Sequence, residues 1–133
     1  MPRVTWPLLN HRPSVRIDVV AVDGQSSTTF DLHADTGAGA ASSAFDLILL
    51  ESDCWSFGNP SGSFMHLTGA HAGGPYWLFH VRVQIPALSF ATSLTAVGVP
   101  AVPDGFRGVA GFRLLNRFDY GNFGNPAQFG LER

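Results

Sequence analysis

Glycine and proline punctuate this chain so often that long helices have little room. Fifteen glycines, nine prolines and eleven phenylalanines in 133 residues point to many short strands joined by tight turns. Glycine and proline serve turns and weaken helix interiors, while aromatic side chains suit half-buried strands. The length fits one domain, residues 1–133, with a real hydrophobic core. Hydrophobic residues make up 45% and charged ones 14%, the reverse of the balance that keeps a chain disordered.

The charges exclude several functions. All eight cations are arginine, so Schiff-base chemistry and a P-loop lysine are ruled out. A net charge of −2 leaves no broad basic face for nucleic acid or an anionic membrane. The single cysteine, Cys54, rules out an intrachain disulfide and a multi-cysteine zinc site; a buried, inert thiol is the expectation there. Met1-Pro2-Arg3 is followed by no apolar stretch of signal-peptide length, and an apolar run such as Leu47 to Leu50 is far too short to span a bilayer. A cytoplasmic location is the resulting expectation.

Along the chain, residues 1–14 read as an N-terminal arm. Val15-Arg16-Ile17-Asp18-Val19 alternates apolar and charged residues, as a half-buried strand does. Asp23-Gly24 supplies a hairpin turn, and Thr28 to Leu32 resumes the extended pattern. Ala44 to Leu50 is a buried segment that fits a strand and a short helix equally. Phe57 to Gly62 is a loop by composition. Phe64 to Leu67 and Tyr76 to Ile85 read as strands around a glycine-rich tip, Thr68 to Pro75, and Leu94 to Val99 as one more strand. Phe112, Leu115 and Phe118 are spaced for one face of a short helix, and residues 120–133 form a C-terminal tail carrying Phe123 and Phe129. The expected fold class is mainly β with one short C-terminal helix.

Chemistry concentrates at Asp35-Thr36-Gly37-Ala38. A carboxylate at a strand end, followed by a hydroxyl and a glycine, can hold a water in a defined pose. The glycine lets backbone approach the carboxylate, and its N–H, aimed inward, favours the charged form. A buried Thr36 hydroxyl would need a partner. An ordinary strand-to-turn junction uses the same residue types.

In its order of segments the chain resembles the retropepsin-like aspartic proteases over about residues 15–120. An apolar strand runs from Leu32 into Asp-Thr-Gly-Ala, a glycine-rich hairpin follows at about Leu67 to Tyr76, and Val109-Ala110-Gly111 precedes a short helix. The resemblance implies a closed β-barrel of the acid-protease half type. It also implies Asp35, Thr36 and Gly37 as catalytic residues, and a substrate cleft formed by Ala38, Gly39 and the hairpin residues Thr68, Gly69, Ala70, His71, Gly73 and Gly74. Such chemistry needs two carboxylates sharing one proton around a water. Asp35 is the only aspartate followed by Thr-Gly or Ser-Gly, so the second comes from another copy across a two-fold axis, and the family has the same homodimer. Terminal strands often interleave in that dimer, which places Phe129 and Leu131 at the expected subunit contact. The chain departs from retroviral members where they carry acidic residues after Asp-Thr-Gly-Ala: Gly39 and Ala40 stand there. Their arginine directly after the late glycine is replaced by Phe112, with Arg113 one place further on.

Other chemistries fit less well. Histidines at 11, 33, 66, 71 and 80 include no pair at helical ligand spacing, and neither a metal nor an organic cofactor is expected. Gly37-Ala38-Gly39 lacks a dinucleotide-binding frame, and no Gly-x-Ser-x-Gly elbow occurs. Two functions remain. One is an aspartic endopeptidase cutting peptide or protein substrates. The other is a non-catalytic module on the same fold, holding an extended peptide by strand addition.

Overall fold

The structure, a computed structural model, describes residues 2–133 and is mainly β, with 53% strand and 13% helix. The strands in chain order are β1 (Arg3–Pro7), β2 (Ser14–Val20), β3 (Ser27–Ala34), β4 (Leu47–Leu50), β5 (Gly58–Leu67), β6 (Gly73–Ile85), β7 (Phe90–Val99), β8 (Gly108–Ala110), β9 (Asp119–Gly121) and β10 (Gln128–Glu132). Two short α-helices, α1 (Glu51–Phe57) and α2 (Phe112–Leu115), interrupt them.

Six strands close a barrel in the order β2-β3-β8-β4-β7-β6, with β6 returning to β2 through Asp18↔Gln84, Val19↔Val83 and Val20↔Arg82. Closure removes the free edges that would otherwise invite pairing with other chains. Most neighbours are antiparallel, but β3 runs parallel to β8 and β4 parallel to β7. The β5 strand pairs only with β6 and stands outside the ring as an edge.

The β2–β3 hairpin follows from its sequence. Alternation puts Val15, Ile17 and Val19 inside while Arg16 stays exposed. Gly24 takes φ +73° at the turn, where a side chain would be strained, and Asp23 accepts the Gln25 N–H at 2.8 Å.

The segment with no readable period, Ala44 to Leu50, ends in β4, which is buried on both faces. Leu47 and Leu49 join the main core inside the barrel, while Ile48 joins a second cluster with Phe45, Leu67, Val97, Val99 and Val109. A strand covered on both sides reads as a continuous apolar run, so its alternation is hidden.

Three sequence expectations are corrected. The expected single helix is joined by α1, which carries Glu51 and Asp53 in its first turn, where carboxylates suit the positive end of a helix. Phe57 to Gly62 is not a loop: from Gly58 onward it is the start of β5, paired as Gly58↔Val81, Asn59↔His80 and Pro60↔Phe79. Pro60 and Gly62 are accommodated because β5 is an edge and its register shifts between Pro60 and Phe64, as bulges on edge strands allow.

The arm and the tail are also not appendages. β1 pairs antiparallel with β10 and β10 with β9, forming a three-stranded sheet within one chain. Phe129 and Leu131, expected at a contact between copies, are buried in this chain's own core, with Val4 and Trp6 packed against the same cluster. Their alternation along β10 satisfies them inside the chain and leaves neither available to a partner. Among the described residues, no helix is long and apolar enough to cross a membrane.

Candidate functional site

The site is built where β3 and β8 end side by side. Parallel pairing through Ala34↔Ala110 carries on for one further bond, from the Asp35 N–H to the Ala110 carbonyl at 3.0 Å. Beyond it the chain turns sharply. The Ala38 N–H donates to the Asp35 carbonyl at 3.1 Å, and the Gly37 N–H donates to Asp35 Oδ1 at 2.9 Å. The Asp35 carboxylate is thus held against its own turn by an amide. A Cβ at Gly37 would lie 3.2 Å from Asp35 Oδ1, which gives a physical reason for glycine at that place.

The turn is tied down from below. The Phe112 N–H donates to the Ala38 carbonyl at 3.0 Å and the Gly111 N–H to the Asp46 carbonyl at 2.9 Å. Gly111 must be glycine for this approach, since its Cβ would stand 2.9 Å from the Ala38 carbonyl oxygen. Gly39 takes φ +83° and passes close to Ser43, whose Oγ accepts the Ala40 N–H at 2.7 Å. Arg113 on α2 donates to the Ser43 carbonyl.

Arg113 also reaches a buried carboxylate that the sequence did not single out. Asp46 is 1% exposed. Its Oδ2 accepts the Thr95 N–H at 3.0 Å. Its Oδ1 lies 3.2 Å from Arg113 Nε and 3.6 Å from Arg117 Nη2. The first separation is an ion pair short of good hydrogen-bond alignment, so Oδ1 has charge partners but no well-aligned donor. Arg113 therefore has a carboxylate partner on the segment that leads into β4.

Asp35 opens onto a groove of about 300 Å³. Gly37, Ala38 and Gly39 form one wall. The hairpin residues Thr68, Gly69, Ala70 and His71 form the opposite one. Phe45, Ile48, Met65 and Leu67 line it as well, and these belong to or pack on the second apolar cluster. The apolar lining therefore combines Ile48 of β4, whose neighbours Leu47 and Leu49 fill the barrel, with Phe45 just before that strand and Met65 and Leu67 of β5.

The structure brings together eight of the eleven predicted site residues. Thr36 is exposed and does not line the groove, so its hydroxyl is not turned inward within one chain. Gly73 and Gly74 also lie outside it. They belong to β6 rather than to the tip, with φ of +133° and +125°, and Gly73 pairs with Leu67. The tip proper is shorter than expected, residues 68–72, containing one 3₁₀ turn at Gly69–His71. Ser43, Phe45, Ile48, Met65, His66 and Leu67 were missed as lining residues. The alternation of Phe64 to Leu67 was legible, but which face met the groove depends on a register shift between Met65 and Leu67.

His33 stands two residues before Asp35 on β3 and stacks at 5.4 Å from the Phe106 ring. Burial lowers its pKa from the ordinary 6.5; the Asp35 charge opposes this and Arg12 adds to it. Cys54 is fully buried, and burial raises its pKa to about 12, reinforced by Asp53 and Glu51; a thiol so placed is not a nucleophile. Among the described residues, no group of three or more His, Cys, Asp or Glu is placed to hold a metal ion.

Comparison with protein-family models, curated proteins and solved structures finds no match to this chain.

Proposed function

We propose that the chain is an aspartic endopeptidase of the retropepsin-like type, active as a homodimer in which each catalytic centre uses Asp35 from two copies. The observation that carries this reading is the placement of Asp35. It sits at a strand end, fixed by the Gly37 amide, and faces a glycine-rich hairpin across an apolar-floored groove. A groove of this shape accepts an extended peptide, with small residues on both walls allowing the peptide backbone close approach.

One chain supplies one such carboxylate, and two-fold symmetry supplies the second. Two carboxyl groups a hydrogen bond apart share a single proton. The ionised one takes a proton from a water as its oxygen bonds to the scissile carbonyl carbon. The neutral one gives its proton to the carbonyl oxygen, producing a gem-diol. On collapse the C–N bond breaks, and the proton taken from water passes to the leaving nitrogen. One diol proton then returns to the second carboxylate, restoring the starting pair. The hairpin 68–72, with Gly69 at φ +74° and no buried side chain in its 3₁₀ turn, is suited to open for entry and close over substrate, excluding water.

The test is a peptide-library digest with wild type and Asp35→Asn in parallel, with mass in solution measured for both. Cleavage by a dimeric wild type and none by a folded, dimeric Asp35→Asn is the expected result. Equal cleavage by both removes Asp35 from the mechanism. Peptide binding without cleavage by either marks the non-catalytic module instead.

A further inference from the structure

None of the chain's eight arginines lines the groove, and the titratable side chains that do are Asp35, His66 and His71. His66 lies near the end of β5 and His71 in the tip that follows it. His66 falls at the register shift between Met65 and Leu67, and a bulge of this kind re-aims a side chain at a sheet edge. His71 closes the 3₁₀ turn of the tip; Tyr76 borders its other side, with Pro100 and Ala101. No ion pair among the described residues engages either imidazole.

We infer that His66 and His71 form an acid-reading pair on the hairpin, so that the groove selects peptides carrying Glu or Asp beside an apolar residue. The inference rests on the peptide-cleft reading above and adds the substrate class. Imidazoles become cations on the acid side of neutrality. Both imidazoles share the groove lining with the apolar side chains Phe45, Ile48 and Leu67. An apolar side chain fills the floor, and a neighbouring carboxylate meets the imidazoles. The Asp35 carboxylate is engaged by its own turn.

The experiment uses the full chain carrying Asp35→Asn, which separates binding from cutting. Two peptides identical except for one Glu→Gln change are titrated by calorimetry at about pH 5 and about pH 8, on either side of the imidazole transition. The Glu peptide is expected to bind roughly two- to fivefold more tightly per imidazole–carboxylate pair at the lower pH. The preference should vanish at the higher pH and shrink with added salt. His66→Gln with His71→Gln should bring the Glu peptide down to the level of the Gln peptide. Equal binding of the two peptides at about pH 5, or a preference that survives the double substitution, overturns the inference while leaving the peptide cleft standing. Binding of neither peptide overturns the cleft reading itself, and the acid-reading pair with it.

Discussion

Replacing Asp46 by alanine tests whether the Asp35 turn depends on the buried carboxylate beneath it. Two losses follow. The Thr95 N–H, bonded to Asp46 Oδ2 at 3.0 Å, loses its acceptor in a part-buried place, which costs about 1–3 kcal/mol. Arg113 and Arg117 lose their shared charge partner, but their side chains are 33% and 39% exposed. Water takes over much of that role, so this part adds only about 0–1 kcal/mol. The total is about 2 kcal/mol and at most about 4. With a urea slope of about 1–3 kcal/mol/M, the unfolding midpoint should fall by roughly 1 M. Asp46→Asn keeps an oxygen for Thr95 and gives up only the charge, so its midpoint should fall by less than half as much. Pairing Asp46→Asn with Arg113→Met in a double-mutant cycle should return a coupling of about 0.5–1 kcal/mol. The assay is equilibrium urea unfolding followed by tryptophan fluorescence. An Asp46→Ala midpoint within about 0.2 M of wild type, below what this slope makes meaningful, would refute the reasoning. An Asn variant as damaged as the Ala variant would show that charge, not the Thr95 bond, holds the segment.

Further outcomes follow from other contacts. Cys54 should resist iodoacetamide in the folded protein at pH about 8 and react once denaturant is added, because only the thiolate attacks and burial raises this thiol's pKa to about 12; ready native-state labelling would contradict its burial. His33 has a folded pKa below its ordinary 6.5, so the unfolded chain binds the proton more readily. Its contribution is fully present above pH 6.5 and is lost as pH falls through the folded pKa; His33→Gln should flatten that part of a melting-temperature profile, and an unchanged slope would discount the burial. At Gly108 a Cβ would strike the Ile48 carbonyl oxygen and come within 2.7 Å of Leu49 Cδ2. Gly108→Ala should therefore destabilise by about 1–3 kcal/mol, outweighing the roughly 0.4–1 kcal/mol that losing glycine's freedom returns; a more stable variant by thermal melting would mean the barrel relaxes there at no cost.

Some of this architecture is legible in the residues and some is not. The β2–β3 hairpin could be read because one face is buried and Asp23-Gly24 marks its turn. Asp35 and Gly37 could be read because a carboxylate followed by glycine at a strand end is a local pattern. β4 could not be typed, since both its faces are covered and the period disappears. The early part of β5 looked like a loop because Pro60 and Gly62 are turn residues; what makes it a strand is the long β6 beside it, a non-local fact. Asp46 was invisible for the same reason: Arg113, Arg117 and Thr95 reach it from distant parts of the chain. In β1, by contrast, Val4 and Trp6 do alternate with Arg3 and Thr5, but a five-residue strand beside two prolines carries too weak a pattern to outweigh them.

The pairing of β1 with β10 has a topological consequence. Arg133 donates its N–H to the Pro2 carbonyl at 2.9 Å, and Arg3 pairs with Glu132 at 2.6 Å, so the first and last described residues are neighbours. A polypeptide attached at both places leaves and re-enters the barrel at one point, like a loop hanging from a single peg. Spliced into a host protein there, the domain would separate its host's flanking segments by little more than the width of two strands. The two ends can also be bridged by a few residues without stretching the fold, which frees the exposed bulge around Gly62 to serve as a new start and finish of the same chain.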